Sequence, residues 1–237
     1  LILHPPVLAL GVGCERDCAP EELAELVDKT LLDAGLSRHS IACVVSLDLK
    51  MDEPAVHAVA ARLGAPARFF SGPELEAQTA RLAHPSDVVF AEVGCHGVSE
   101  GAALAAVGAD GILKVEKQRS KRATCAIAIN AGGIDANSIG HPRGHLSIVG
   151  IGPGADGWRT PEATALLAAA TDVVGYGLYL DLVSDLIAGK ERHVSELAQE
   201  EARVRRALEL AAEGRNVALV CSGDAGIYAL ATLVFEL

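Results

Sequence analysis

The chain reads as two α/β domains with mostly parallel sheets. Three observations predict this class. Short apolar runs alternate with helical patterns along most of the sequence, a glycine-rich stretch past the middle interrupts them, and 237 residues exceed the usual size of one domain. Half the residues are hydrophobic but only 3% are aromatic, so Ala, Val, Leu and Ile must build the cores. That composition argues against intrinsic disorder.

Val7 to Gly13 is an unbroken apolar run that suits a strand buried on both faces. Pro20, Glu21 and Glu22 open a helix in which Leu23, Leu26, Val27, Thr30 and Leu31 repeat at helical spacing, with Gly35 as the C-terminal cap. Ile41 to Leu47, Ala67 to Phe70, Asp87 to Val93, Gly111 to Val115 and Thr124 to Ile129 are expected strands. Helices are expected near Glu53 to Leu63, Pro73 to Leu82 and Ser99 to Val107. This order implies a parallel sheet.

Residues 130–145 hold four glycines and a proline without helical or strand period, and are expected to be a flexible linker between domains at 1–129 and 146–237. Beyond them Leu146 to Ile151 reads as a strand, followed by a glycine loop and a helix that Thr160 caps and Pro161 opens. Asp172 to Tyr176, Glu196 to Ala212 and Asn216 to Cys221 read as strand, helix and strand, and a last helix starts near Gly226. No fixed-period repeat is present.

The formal charge of −11 would repel a polyphosphate, and aromatic residues that could stack on bases are scarce. No run of about 18 apolar residues occurs, and Leu1 to Pro6 lacks the features of a signal peptide. The expectation is a cytoplasmic protein that engages neither nucleic acid nor membrane. The chain has no initiator Met and stops in mid-pattern at Val-Phe-Glu-Leu, which predicts a piece of a longer polypeptide.

Six cysteines are scattered, several inside apolar runs, and indicate no disulfide framework. Cys95 and His96 are adjacent, which rarely lets two side chains converge on one ion, so no metal site is expected and Cys95 is read as a structural thiol. Cys14 and Cys18 lack a second pair that would support a redox or zinc motif. Lys50, Asp52 and Glu53 after a strand, and Glu100 opening a helix, are weak candidates for a cleft that binds an acidic substrate or polarises a carbonyl. For Glu53 and Glu100 a solvated helix start is the competing explanation.

Gly150-Ile-Gly-Pro-Gly-Ala155 follows a buried strand and formally fits a dinucleotide fingerprint. The fit is poor, because the helix starts only at Thr160-Pro161, Asp172 precedes the next strand, and Pro153 removes a donor. Val217 to Tyr228 is a second strand that runs into a glycine turn before a helix, which would put both loops at the carboxyl ends of strands.

Taken in order, Gly150-Ile-Gly-Pro-Gly154, Thr160-Pro161-Glu162-Ala163, Val173-Val-Gly-Tyr176 and Ser222-Gly-Asp-Ala-Gly-Ile-Tyr228 resemble the N-terminal half of the tetrapyrrole (corrin/porphyrin) methyltransferase family. Gly175-Tyr-Gly-Leu-Tyr179 and Cys221-Ser-Gly-Asp-Ala-Gly-Ile-Tyr228 are similar to precorrin-3B C17-methyltransferase. The resemblance implies S-adenosylmethionine as cofactor, with Gly223, Asp224, Ala225, Ile227 and Tyr228 as cofactor candidates. It places Gly150, Gly152, Pro153 and Gly154 beside the substrate cleft. It also implies a precorrin substrate and raises homodimerisation through this part as an expectation.

The first segment carries Gly11-Val-Gly-Cys-Glu-Arg16, Ser46-Leu-Asp-Leu-Lys-Met-Asp-Glu53, Phe69-Phe-Ser71 and Val93-Gly-Cys-His-Gly-Val-Ser-Glu-Gly-Ala-Ala-Leu104. It resembles the C-terminal domain of cobalamin biosynthesis protein G, the cobalt-precorrin-5A hydrolase. Together the two resemblances imply a fusion that methylates C17 of precorrin-3B or its cobalt form. The alternatives are a non-catalytic tetrapyrrole-binding module, favoured for the first domain by its lack of an obvious acid and base pair, and a nicotinamide oxidoreductase that rests on Gly150 to Ala155 alone.

Overall fold

The computed structural model describes residues 3–226 and 230–237. The chain divides into two compact units, Leu1–Arg143 and Gly144–Leu237. The first contains β1 (Leu8–Cys14), α1 (Pro20–Asp33), β2 (Ile41–Leu47), α2 (Pro54–Leu63), β3 (Ala67–Phe70), α3 (Gly72–Glu76), α4 (Asp87–Val93), α5 (Val98–Val107), β4 (Ile112–Arg119) and β5 (Ala123–Ile129). Its five strands run in the order β3-β2-β1-β5-β4. The pairs β3–β2 and β2–β1 are parallel, as expected, whereas β1–β5 and β5–β4 are antiparallel. The chain from β4 to β5 is too short for a crossover helix, so these strands can only pair as a hairpin.

β1 is the central strand and is buried on both faces. Leu8, Leu10 and Val12 pack with Leu23, Val27, Val56 and Val59 of α1 and α2 on one face, while Ala9 and Ala128 pack with Ala102, Ala103 and Ala106 of α5 on the other. α5 sits so close that a Cβ at Gly11 would lie 1.9 Å from the Ser99 carbonyl oxygen. Only a glycine in β1 permits that approach.

The expected strand Asp87 to Val93 is the helix α4, capped by the Ser86 hydroxyl, which accepts from the Val89 N–H, and closed by Gly94 at φ +74°. None of its residues is buried. The apolar run has no sheet to join, and its local caps decide the conformation. Expected helix Pro73 to Leu82 is shorter, α3 followed by a 3-10 turn at Thr79–Arg81.

Residues 130–143 are tied to the first unit. The Ile134 N–H donates to the Pro6 carbonyl at 2.9 Å, the Asn137 carboxamide accepts from Arg68 at 2.9 Å, and Phe69 and His141 form an antiparallel bridge. The stretch therefore covers part of the β3 edge, which would otherwise present unpaired backbone groups.

The second unit contains β6 (His145–Gly150), α6 (Pro161–Ala169), β7 (Asp172–Tyr176), α7 (Gly177–Asp181), β8 (Glu191–Ser195), α8 (Glu200–Ala212), β9 (Asn216–Cys221) and α9 (Leu230–Glu236). All four strands are parallel, in the order β6-β9-β7-β8. Val149, Val173 and Val220 meet Ala163 and Leu167 of α6 and Leu180 of α7 on one face, and Val174, Val217 and Leu219 meet Val204, Ala207 and Leu210 of α8 on the other. β8 is an edge strand without a buried residue, which explains why no apolar run announces it. Asp172 is fully buried at the start of β7, where its carboxylate accepts from the Thr171 hydroxyl at 2.8 Å, meets His193 Nε2 at 2.9 Å and forms an ion pair with Arg215 at 2.9 Å. Among the described residues no helix is long and apolar enough to cross a membrane.

Candidate functional site

Because β6 and β9 are neighbours in a parallel sheet, their carboxyl ends deliver two glycine loops to one place. Gly152 and Gly223 pair there as an isolated antiparallel bridge, with N···O distances of 3.1 and 2.9 Å. Both glycines have φ +65°, a backbone conformation that costs an L side chain about 1–2 kcal/mol. At Gly150 a Cβ would meet the Gly223 carbonyl oxygen at 2.5 Å and the Ala225 nitrogen at 2.8 Å, so the loops touch through backbone.

A cavity of about 500 Å³ opens at this junction. Gly150, Gly152, Gly223, Asp224 and Ala225 line it from the two loops, and Thr160, Glu162, Ala163 and Leu166 line it from the start of α6. Ile148 and Val149 form part of its wall, and Trp158 lines it from the 3-10 turn Asp156–Trp158. Thr160 accepts from the Ala163 N–H at 3.1 Å and so fixes where the helix begins. Asp224 is exposed, and its Oδ1 accepts from the Gly226 N–H at 2.7 Å.

Among the described lining residues the charged groups are Glu162 and Asp224, both acidic. Such a lining suits a sulfonium cation or ribose hydroxyls and disfavours a pyrophosphate. It fits S-adenosylmethionine better than a nicotinamide dinucleotide.

Of the residues expected at this site, Gly150, Gly152, Gly223, Asp224 and Ala225 converge on the cavity. Gly154, at φ +108°, turns toward Leu182, and neither it nor Pro153 lines the cavity. Ile227 and Tyr228 lie outside the described residues. The sequence reading missed Trp158, Thr160 and Glu162 as lining residues. The available signal was the long interval between the glycine motif and the capped helix, which leaves room for a wall.

Glu100, 1% exposed, accepts from the Ala83 and His84 N–H groups through Oε2 and from the Lys117 N–H through Oε1, at 2.8–3.0 Å. Its carboxylate is occupied in joining α5 to two backbone segments. Glu53, 2% exposed, precedes α2, and its Oε1 is buried without a hydrogen-bond partner among the described residues. Lys50 shares its turn, with the Glu53 N–H donating to the Lys50 carbonyl at 3.0 Å.

Cys95 is buried and free, and burial pushes its thiol up. The His96 Nδ1 lies 2.9 Å from a Glu76 oxygen and Nε2 lies 3.4 Å from Asp87, while the ring stacks on Phe90 at 4.5 Å. Both imidazole nitrogens thus face carboxylates, which does not form the thiol–imidazole pair of a cysteine nucleophile.

Burial, helped by Glu53 and Cys18 and opposed by Lys50, pushes Cys14 up from 9.0 to about 12, and burial takes Cys43 to about 12 and Cys125 to about 11. Burial disfavours the thiolate, so between about pH 9 and the raised values the folded state binds more protons than the unfolded chain and stability falls with pH. That stability is present below pH 9 and is lost as pH rises from about 9 toward 12. Urea unfolding at stepped alkaline pH is expected to show the decline, with little change attributable to thiols between pH 7 and 8. A flat profile up to pH 11 would contradict the burial of these groups.

Residues 8–128 match the family described as Cobalamin synthesis G C-terminus. The chain belongs to that family. Residues 145–237 match the family described as Tetrapyrrole (Corrin/Porphyrin) Methylases. CobE of Sinorhizobium sp is 46% identical over 121 residues, 51% of this chain and 79% of that protein. The Salmonella typhimurium protein named "Probable cobalt-factor III C(17)-methyltransferase" is 48% identical over 92 residues, 39% of this chain and 38% of that one. The cobalt-precorrin-5A hydrolase of Priestia megaterium is 34% identical over 129 residues, 54% of this chain and 34% of that one. The chain thus spans little more than a third of the length of the last two. A crystal structure of CobE, a protein of the cobalamin biosynthetic pathway, covers 57% of this chain and 97% of its own at 34% identity, with a TM-score of 0.50. The chain therefore joins a domain of the Cobalamin synthesis G C-terminus family to a segment that matches the tetrapyrrole methylases.

Proposed function

We propose that the second unit is the N-terminal lobe of an S-adenosylmethionine-dependent methyltransferase acting at C17 of precorrin-3B or its cobalt form, and that the first unit binds a tetrapyrrole intermediate of the same pathway. The observation that carries the reading is the pairing of Gly152 with Gly223 at the carboxyl ends of adjacent parallel strands, over a cavity whose charged lining is acidic. When bound, the cofactor supplies an electrophilic methyl group for an electron-rich ring carbon. Direct displacement requires no protein nucleophile, and positioning supplies much of the acceleration. The glycines let backbone approach the ligand, Glu162 and Asp224 supply negative potential for a cation, and Ile148, Val149 and Leu166 exclude water from one wall.

For the first unit, the engagement of Glu100 in backbone hydrogen bonds favours binding over hydrolysis, because it removes one candidate acid or base. We place the two domains at residues 1–129 and 146–237, joined by 130–145, of which 130–143 packs with the first unit, and cytoplasm as the location.

Calorimetric titration with S-adenosylmethionine tests the cofactor assignment, using the polypeptide with both methyltransferase lobes. Asp224→Ala is expected to weaken binding by about 1–3 kcal/mol where the bound cofactor buries this exposed carboxylate in a hydrogen bond, and hardly at all where it stays a solvated turn residue. Gly223→Val, forced to adopt φ +65°, is expected to weaken it further. Wild-type affinity in both variants would remove this turn from the cofactor site.

A further inference from the structure

The chain has one tryptophan, and it is 74% exposed where it lines the cavity. A single exposed apolar side chain is ordinary, but the setting of Trp158 is specific. Its turn is closed by the Trp158 N–H donating to the Ala155 carbonyl at 3.0 Å and lies against the glycine loop, where a Cβ at Gly152 would stand 3.1 Å from the Trp158 carbonyl oxygen. The next residue anchors it from the other side: Arg159 Nε donates to the Thr164 hydroxyl at 3.2 Å, and its guanidinium lies 3.1 Å from Asp156. The rest of the wall is glycine, aliphatic and acidic apart from Thr160, with no second aromatic among the described lining residues.

We propose that the Trp158 indole is a stacking wall of this site, which packs against the face of a flat conjugated ring. The inference rests on the proposed function and deepens it. Two components of that reaction carry such a face, the adenine of the cofactor and the conjugated part of the tetrapyrrole. A tryptophan whose backbone is fixed offers a large apolar face with only two side-chain torsions to immobilise, so little freedom is lost on stacking.

The test titrates S-adenosyl-L-homocysteine and hydrogenobyrinic acid, a metal-free corrinoid, separately against the 237-residue chain and its Trp158→Leu and Trp158→Phe variants by calorimetry. Emission of the wild-type chain is followed in parallel and, with one tryptophan, reports this site alone. The expected result is about tenfold weaker binding of one ligand to Trp158→Leu, near-normal binding to Trp158→Phe, and a change in wild-type emission on saturation with that same ligand. Loss confined to S-adenosyl-L-homocysteine identifies adenine as the stacked ring, and loss confined to the corrinoid identifies the macrocycle.

Equal affinity of Trp158→Leu and wild type for both ligands overturns the stacking role and leaves the proposed function standing. Binding of neither ligand to the wild-type chain overturns the stacking role in this unit, and the proposed function is judged separately by the titration of the polypeptide with both methyltransferase lobes. Thermal unfolding of Trp158→Leu is expected to match wild type because the ring is exposed. If it does not, unchanged wild-type emission at saturation overturns the inference, and changed emission supports it.

Discussion

Glu100→Ala is expected to destabilise the first unit by about 4 kcal/mol or more, since it strands three backbone N–H groups that donate to one buried carboxylate. Hydrogen bonds to a charged acceptor are each worth about 1.5–3 kcal/mol, and a donor left without its acceptor in a partly buried setting adds a desolvation cost. Loss of this 1% exposed side chain also leaves a cavity. Denaturant unfolding measures the total, and hydrogen exchange at the amides of Ala83, His84 and Lys117 localises it. A fully stable Glu100→Ala chain would return this residue to the ligand-binding candidates. Glu100→Gln keeps the shape but replaces one acceptor oxygen with a donor, and is expected to fall between the two.

Gly150→Ala is expected to weaken S-adenosylmethionine binding by tenfold or more in the polypeptide with both methyltransferase lobes. The added Cβ would stand 2.5 Å from one backbone atom and 2.8 Å from another, so neither neighbour is a side-chain tip that can swing aside. The loops must separate, and overpacking of this kind costs about 1–3 kcal/mol. Exchange of the Gly152 and Gly223 amides, which bond each other's carbonyls, is expected to accelerate. Normal affinity together with slow exchange would show that the loop contact does not shape the site.

Several features were legible without coordinates. α1 follows from proline and acidic residues at one end and regular apolar spacing, and α6 from Thr160 followed by Pro161, because caps and periodicity act over a few residues. The two glycine loops were equally visible, since each follows a buried apolar strand. α4 was not legible: Asp87-Val-Val-Phe-Ala-Glu-Val93 carries the β-branched and aromatic residues of a strand, and so short a run cannot declare its period. β8 was missed for the complementary reason, that an exposed edge strand needs no apolar face.

The sequence by itself determined most of the strands and helices, the residues of the two glycine turns and the family of the first unit, since these depend on neighbours along the chain. Tertiary structure alone decided that β6 lies beside β9, that Gly152 meets Gly223, that Trp158 borders the resulting cavity, and that Glu100 is a buried acceptor instead of a cleft residue. Strand order, and the burial that follows from it, are set by which apolar faces pack together across long sequence separations. No local pattern records that choice.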